Sequence, residues 1–389
     1  MAQLGFWNLF TTGMAIFAMF FGAGNIIFPL ALGYHSLEQT PFALAGLLLT
    51  AVFVPLCGLL TMFFFQGRVK EFFGRIGKFP GLIIGFFVIS LLGPLGSTPR
   101  CIALALSTLQ LTYPNISVIL FNFIACSCLF FMVYKKKNLL GILGYFLTPA
   151  LIGLLVFIIF KGFWTLPEFI PQSEIQSTTA FFSGLKEGYN TMDLLAAFFF
   201  APVIISLTHE KTKNLSNLKS RLYFVVIASL IGAALLSAVY IGFSFLAAKY
   251  ASILHGVSPQ DLLGTIALTI LGPEAGLVVN LTVVLACLTT AVALITAFTD
   301  FVHEEILRRK ISYTLTLGGA LLLTFLTAYF EFSGISQFLS PVLEMIYPFL
   351  ILLTLFNFVE RLYYLKGIPS YQDEALDSFQ ENQEGLEIL

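Results

Sequence analysis

Three charged residues, Arg100, Asp193 and Glu344, stand inside long apolar stretches of this 389-residue sequence. A charge at mid-bilayer costs at least about 2.5–3.5 kcal/mol, so it faces protein or water rather than lipid. Asp193 has the setting richest in chemistry. It closes the run Gly188-Tyr189-Asn190-Thr191-Met192-Asp193, and Pro202 follows within the same stretch. A carboxylate there can meet a ligand ammonium, or ligate a cation together with Asn25. Arg100, next to Pro99, can pair with Asp193 or Glu344, or meet a ligand carboxylate. A fixed ion pair holding helices together is the plain structural alternative for all three. Pro341 and Pro348 flank Glu344 and are expected to leave it near a water-filled crevice.

A second constellation is Phe20-Phe21-Gly22-Ala23-Gly24-Asn25-Ile26-Ile27-Phe28-Pro29, inside an apolar stretch from about 6 to 32. Gly loses backbone entropy in a helix, and Pro removes a donor and clashes one turn back. In lipid, the freed backbone groups need partners in the protein, in water or in a ligand. Ala23, Gly24 and Asn25 would open a half-helix whose free N–H groups suit a carboxylate. Free carbonyls at the end of the preceding half suit a small cation. A simple kink is the alternative reading.

The elements that must position these residues are membrane spans. Apolar residues make up 58% of the chain and charged residues 11%, against roughly a quarter charged in a soluble protein, and the mean hydropathy is +0.92. The net charge of −1, without a basic stripe, excludes a nucleic-acid partner. The N-terminus lacks a basic region ahead of its long apolar run, so it reads as a retained span rather than a signal peptide. Ten spans are expected, at about 6–32, 41–66, 79–111, 115–134, 138–160, 184–207, 221–247, 275–302, 312–330 and 338–364. The third is long and should bend at Pro94 and Pro99. Sixteen Lys and Arg fall in the connections after the even-numbered spans; the other side has Lys161, Lys186 and Lys249. The positive-inside rule makes the sixteen-charge side, and with it both termini, cytoplasmic. Outer loops are expected at 161–183 and 248–274, the second with a helix start at Ser258-Pro259-Gln260-Asp261. Residues 1–366 form the expected transmembrane core; 367–389, acidic and without a base, form a cytoplasmic tail. Cys57, Cys101, Cys126, Cys128 and Cys287 lie in apolar segments without C-x-x-C spacing, which argues against zinc or a disulfide framework. No Walker lysine loop is present, so ATP is not the expected driver.

Spans 1 and 6 are the interrupted ones, and they hold the same place in the two halves of a ten-span chain. The expected fold is therefore all-α: a LeuT-type bundle of two inverted five-span repeats, about 6–160 and 184–364, with helices 1 and 6 broken. The residues also carry a resemblance. Gly22-Ala23-Gly24-Asn25 with Phe28-Pro29 resembles the first-helix break of the LeuT superfamily, and Ala286-Cys287-Leu288-Thr289-Thr290 its sodium-site motif. Met19 to Asn25 with Pro29, Gly93-Pro94 with Pro99-Arg100, and Gly188-Tyr189 with Thr191-Met192-Asp193 resemble the bacterial branched-chain amino acid:cation symporters. Pro341-Val342-Leu343 with Ile346-Tyr347-Pro348 fits the same family, whose members commonly have twelve spans.

The resemblance implies Na⁺-coupled uptake of L-leucine, L-isoleucine and L-valine across a bacterial inner membrane. It implies a Na⁺ between spans 1 and 8, held by the carbonyls of Ala18, Phe21 and Ala286 and the hydroxyls of Thr289 and Thr290. Five neutral oxygens suit a monovalent hard cation better than Ca²⁺, which recruits carboxylates. The alternative for Thr289 and Thr290 is a bond to a carbonyl one turn back. The substrate site would comprise Ala23, Gly24, Asn25, Arg100, Thr191 and Asp193, with Phe198 in an apolar wall. A carrier of another neutral amino acid or amine, coupled to Na⁺ or to protons through Asp193, is the runner-up. A channel lacks the repeated polar rings it would need, and an intramembrane enzyme lacks a nucleophile with a base.

Overall fold

Helix dominates because a bilayer leaves a chain no other way to pair its backbone except a closed barrel. The computed structural model describes residues 5–134, 139–165, 172, 174–212 and 218–367. Among these are fifteen α-helices and no strand. Span 1 is split into α1 (Phe6–Phe20) and α2 (Ala23–Ser36). Span 2 is α3 (Thr40–Leu48) and α4 (Val54–Phe64), joined through a π turn at Leu49–Phe53, with the short α5 (Val69–Gly74) after it. Span 3 is α6 (Lys78–Leu92) and α7 (Ser97–Gln110). Spans 4 and 5 are α8 (Val118–Tyr134) and α9 (Leu139–Trp164). Span 6 is split into α10 (Ser177–Asn190) and α11 (Asp193–Thr212), and span 7 is α12 (Leu218–Lys249). α13 (Leu262–Phe301) holds both the expected external helix and span 8, which meet at Gly272, where φ is 79°. α14 (Tyr313–Ala328) and α15 (Glu331–Gly367) are spans 9 and 10. The tail beyond 367 and Lys135–Lys137 lie outside the described residues.

The side-chain contacts fit the alternation. Lys70 pairs with Glu305 at 2.9 Å, Arg75 with Glu360 at 3.2 Å, and the Arg361 guanidinium lies over the Phe65 ring. The connections after spans 2 and 8 and the end of span 10 therefore meet at one end of the bundle. At the other end Ser107 donates to Asp261, and Ser177 to Gln39 at 2.8 Å.

Span 3 breaks at Gly93–Gly96 rather than at Pro99. Pro99 sits in the first turn of α7, where its missing N–H would have had no acceptor. The break starts α7 beside the bundle centre and aims its first turn, including Arg100, inward.

The halves of span 6 are held by close backbone approach. Ala180, Gly184 and Gly188 fall four residues apart on one face of α10. A Cβ on Gly184 would stand 1.9 Å from the Ala43 carbonyl oxygen of α3. The neighbouring Thr50 hydroxyl donates to Leu185 O at 3.0 Å. Small residues at this spacing let membrane helices touch where lipid gives no hydrophobic drive to associate. Gly184→Ala should accordingly destabilise the protein by about 1–3 kcal/mol, as overpacking does. Gly319→Ala, in open surroundings on α14, should not. The unfolding temperatures of the two purified variants in detergent check this; equal values would contradict the account of the α3–α10 contact.

Candidate functional site

The first break is two residues long. Phe21 and Gly22 leave the helix with extended backbones (ψ 101° and −165°). The Gly22 N–H turns to the Asn25 Oδ1 at 2.8 Å. The Ala18 carbonyl thereby loses its helical donor, and the first N–H groups of α2, from Ala23 to Asn25, have no acceptor in their own helix. Pro29, one turn on, has no N–H to give the Asn25 carbonyl.

The second break lies opposite. α10 ends at Asn190, Thr191 bonds back to Gly188 O at 2.9 Å, and Met192 takes φ 64°, a left-handed conformation rare for a residue with a side chain. Asp193 then opens α11 and is 1% exposed. Its two oxygens accept from the Asn25 Nδ2 at 2.9 and 2.8 Å, and Oδ2 also accepts from the Tyr240 hydroxyl at 2.9 Å. Asn25 thus clips the two breaks together, bonding Gly22 through its oxygen and Asp193 through its nitrogen. A Cβ on Gly24 would come within 3.2 Å of the Thr191 Cα, so glycine there also keeps the breaks in contact. Tyr240, on α12, is a site residue that the sequence did not single out. It is a tyrosine in the middle of an apolar span, and nothing about that position names its partner.

Arg100 is 2% exposed and comes from the first turn of α7. It pairs with neither Asp193 nor Glu344, as the sequence had left open. Its Nη1 donates to the Asn190 carbonyl at 2.9 Å, and its guanidinium carbon lies over the rings of Phe28 and Phe332, 5.2 and 5.6 Å from their centroids. Glu344 forms an exposed pair with Lys186 at 3.0 Å, so it is no site residue.

Gly24, Asn25, Arg100 and Asp193 line one cavity, walled on its apolar side by Phe20 and Phe200. Phe198, expected in that wall, faces away and packs on Phe72 and Phe73, with ring centroids 4.8 and 5.5 Å apart. The reason is helical phase. Ala196 and Phe200, four apart, share the cavity face of α11, and Phe198 lies midway on the opposite face.

Beside the first break runs span 8. The Thr290 hydroxyl reaches Phe21 O at 3.3 Å, and the Thr289 hydroxyl bonds Ala286 O at 2.9 Å. Thr290 thus reaches across to the first break, whereas Thr289 makes the bond one turn back that was the alternative reading for it; Ala18 lies one turn before the break. All five expected oxygens are neutral.

A model of the family described as branched-chain amino acid transport protein matches residues 7–371. The chain belongs to that family. It is 31% identical to the branched-chain amino acid permease BrnQ of Bacillus subtilis, over 94% of this chain and 84% of the relative. It is 30% identical to BrnQ of Haemophilus influenzae, over 91% and 82%. The inward-facing conformation of Mhp1 superposes with a TM-score of 0.64 over 89% of this chain and 75% of that one, at 12% identity, which shows the LeuT-type fold. The family member described here is a multi-pass transporter of branched-chain amino acids, not an enzyme.

Every donor on the Asp193 carboxylate is neutral, and Arg100 is bound elsewhere. Asp193→Asn should therefore insert normally and lose concentrative leucine uptake, and adding Arg100→Gln should not restore it. Uptake of radiolabelled leucine at equal membrane abundance checks this. Recovery in the double variant would show that the two charges answer each other after all.

Proposed function

We propose that this transporter couples uptake of L-leucine, L-isoleucine and L-valine to the entry of Na⁺ by alternating access, in a bacterial inner membrane with both termini cytoplasmic. The observation that carries the reading is the Asn25–Asp193 clip. It brings a half-helix N-terminus and a buried carboxylate to one cavity, which Thr290 of span 8 also lines. In this reading the substrate carboxylate takes the amides of Ala23, Gly24 and Asn25, and Asp193 receives the ammonium. The branched side chain lies against Phe20 and Phe200. Contacts of that kind distinguish substrates by only about 1–3 kcal/mol per methylene, so Leu, Ile and Val should share the site. Na⁺ takes the oxygens of Ala18, Phe21, Ala286, Thr289 and Thr290.

A second reading, proton coupling, draws on one feature: Asp193 is enclosed with neutral donors and has no cationic partner among the described residues. Uptake into proteoliposomes under separately imposed Na⁺, Li⁺ and proton gradients separates the two. The proposal expects Na⁺ alone to drive accumulation; accumulation driven by protons without Na⁺ would overturn it. Thr290→Val, which deletes one oxygen at nearly constant shape, should raise the Na⁺ concentration for half-maximal uptake. Loss of one polar partner, ~1–3 kcal/mol, corresponds to about 5- to 150-fold. An unchanged value would place the ion elsewhere.

A further inference from the structure

Arg100 is a buried cation that has spent only part of its donor capacity. Nη1 faces the Asn190 carbonyl and, at 3.6 Å, the Met192 sulfur. Nε and Nη2 are buried and have no hydrogen-bond partner. A charged donor left bare in a low-dielectric interior is costly, so such groups are found paired. None of the protein's own anions nearby bonds this edge, although the Glu187 charge acts on Arg100 from a distance. Asp193 is bonded to Asn25 and Tyr240, Glu187 accepts from Asn190 Nδ2 at 3.1 Å, and Glu344 pairs with Lys186.

The two bare donors are not scattered. On a guanidinium, Nε–H and one N–H of Nη2 point the same way from one edge, and their spacing matches the two oxygens of a carboxylate. The guanidinium carbon stands 5.2 and 5.6 Å from the ring centroids of Phe28 and Phe332, and Nη1 is bonded to the Asn190 carbonyl of α10. These contacts anchor the head group from the side away from the Nε–Nη2 edge's unpaired donors. Arg100 lines the same cavity as Asp193 and the first residues of α2.

We infer that the Nε–Nη2 edge of Arg100 is a second anchor for the carboxylate of the transported amino acid, added to the α2 amides. The inference rests on the reading of this cavity as the amino-acid site. It makes the cavity a receptor for a zwitterion, with a fixed cation for one end of the ligand and a fixed anion for the other. Amines without a carboxylate are then rejected, because they leave the fork bare.

The test is equilibrium binding to the purified protein, read as displacement of radiolabelled leucine by leucine and by leucinamide, which keeps the ammonium and side chain but lacks the negative charge. The unaltered protein should prefer leucine. Arg100→Gln should weaken leucine by about 10- to 100-fold, the scale of a hydrogen bond to a charged group, and leucinamide much less, so the preference collapses. Arg100→Lys keeps the charge and loses the fork, and should also lose most of the preference. Parallel weakening of both ligands in the two variants would overturn the inference and make Arg100 a structural residue. Restoration of leucine binding by Arg100→Gln with Glu187→Gln would overturn it too, since Arg100 would then serve to balance Glu187. Where Arg100→Gln is not recovered folded, Arg100→Lys carries the comparison. No leucine binding to the unaltered protein would contradict the transport reading itself; leucine binding with an unchanged preference in the variants contradicts only the role of Arg100.

Discussion

Hydrocarbon offers no partner to an open backbone N–H or C=O, and the site of this protein is the place where that constraint is met by something other than helix. Two spans stop in mid-membrane and start again. The open groups at each stop are answered across the gap. The amide of Asn25 closes Gly22 on its own break and reaches the Asp193 carboxylate on the other. Cutting that side chain would release both ends at once. It would leave Asp193 with the Tyr240 hydroxyl and the Thr191 side chain.

The clip works only because the helices carrying the breaks cannot drift. α10 is pressed onto α3 through Gly184 and onto the π turn after it through Gly188, and α2 onto α12 through Gly33, where a Cβ would fall 1.9 Å from the Ser244 carbonyl oxygen. The Ser244 hydroxyl in turn donates to Pro29 O at 2.8 Å. α12 thus supplies both the support for the upper half of span 1 and, through Tyr240, a donor to Asp193. The third break, at Gly93–Gly96, serves the same centre from another side by turning Arg100 toward the two interrupted spans.

Much of this was legible in the sequence, for physical reasons that also mark its limits. Span positions follow from hydropathy, since each must cross the same thickness. The first break fell at the glycines that marked it, whereas the second fell at Thr191–Met192, between Gly188 and Pro202, which both lie within helix; Asp193 and Arg100 stood out because a charge in lipid needs a reason. Partners were not legible. Arg100 and Asp193 invite pairing on the page, yet each bonds a different neighbour. Tyr240 lies 47 positions from Asp193, and no local pattern ties them. Phe198, Phe199 and Phe200 are alike in type, so only the phase of α11 shows which ring faces the cavity. Pro99 looks like a breaker until it is placed in a first turn, where it fits.

The central claim is that the ion and the amino acid bind at one shared break, so that each must feel the other. Equilibrium linkage tests this without a membrane or a gradient. The affinity of the purified protein for leucine is measured with and without saturating Na⁺, and its affinity for Na⁺ with and without saturating leucine. Linkage requires the two enhancement factors to be equal, and coupling between sites typically amounts to about 5- to 150-fold. The account predicts equal factors in that range. Leucine affinity that is the same at zero and saturating Na⁺ would contradict it.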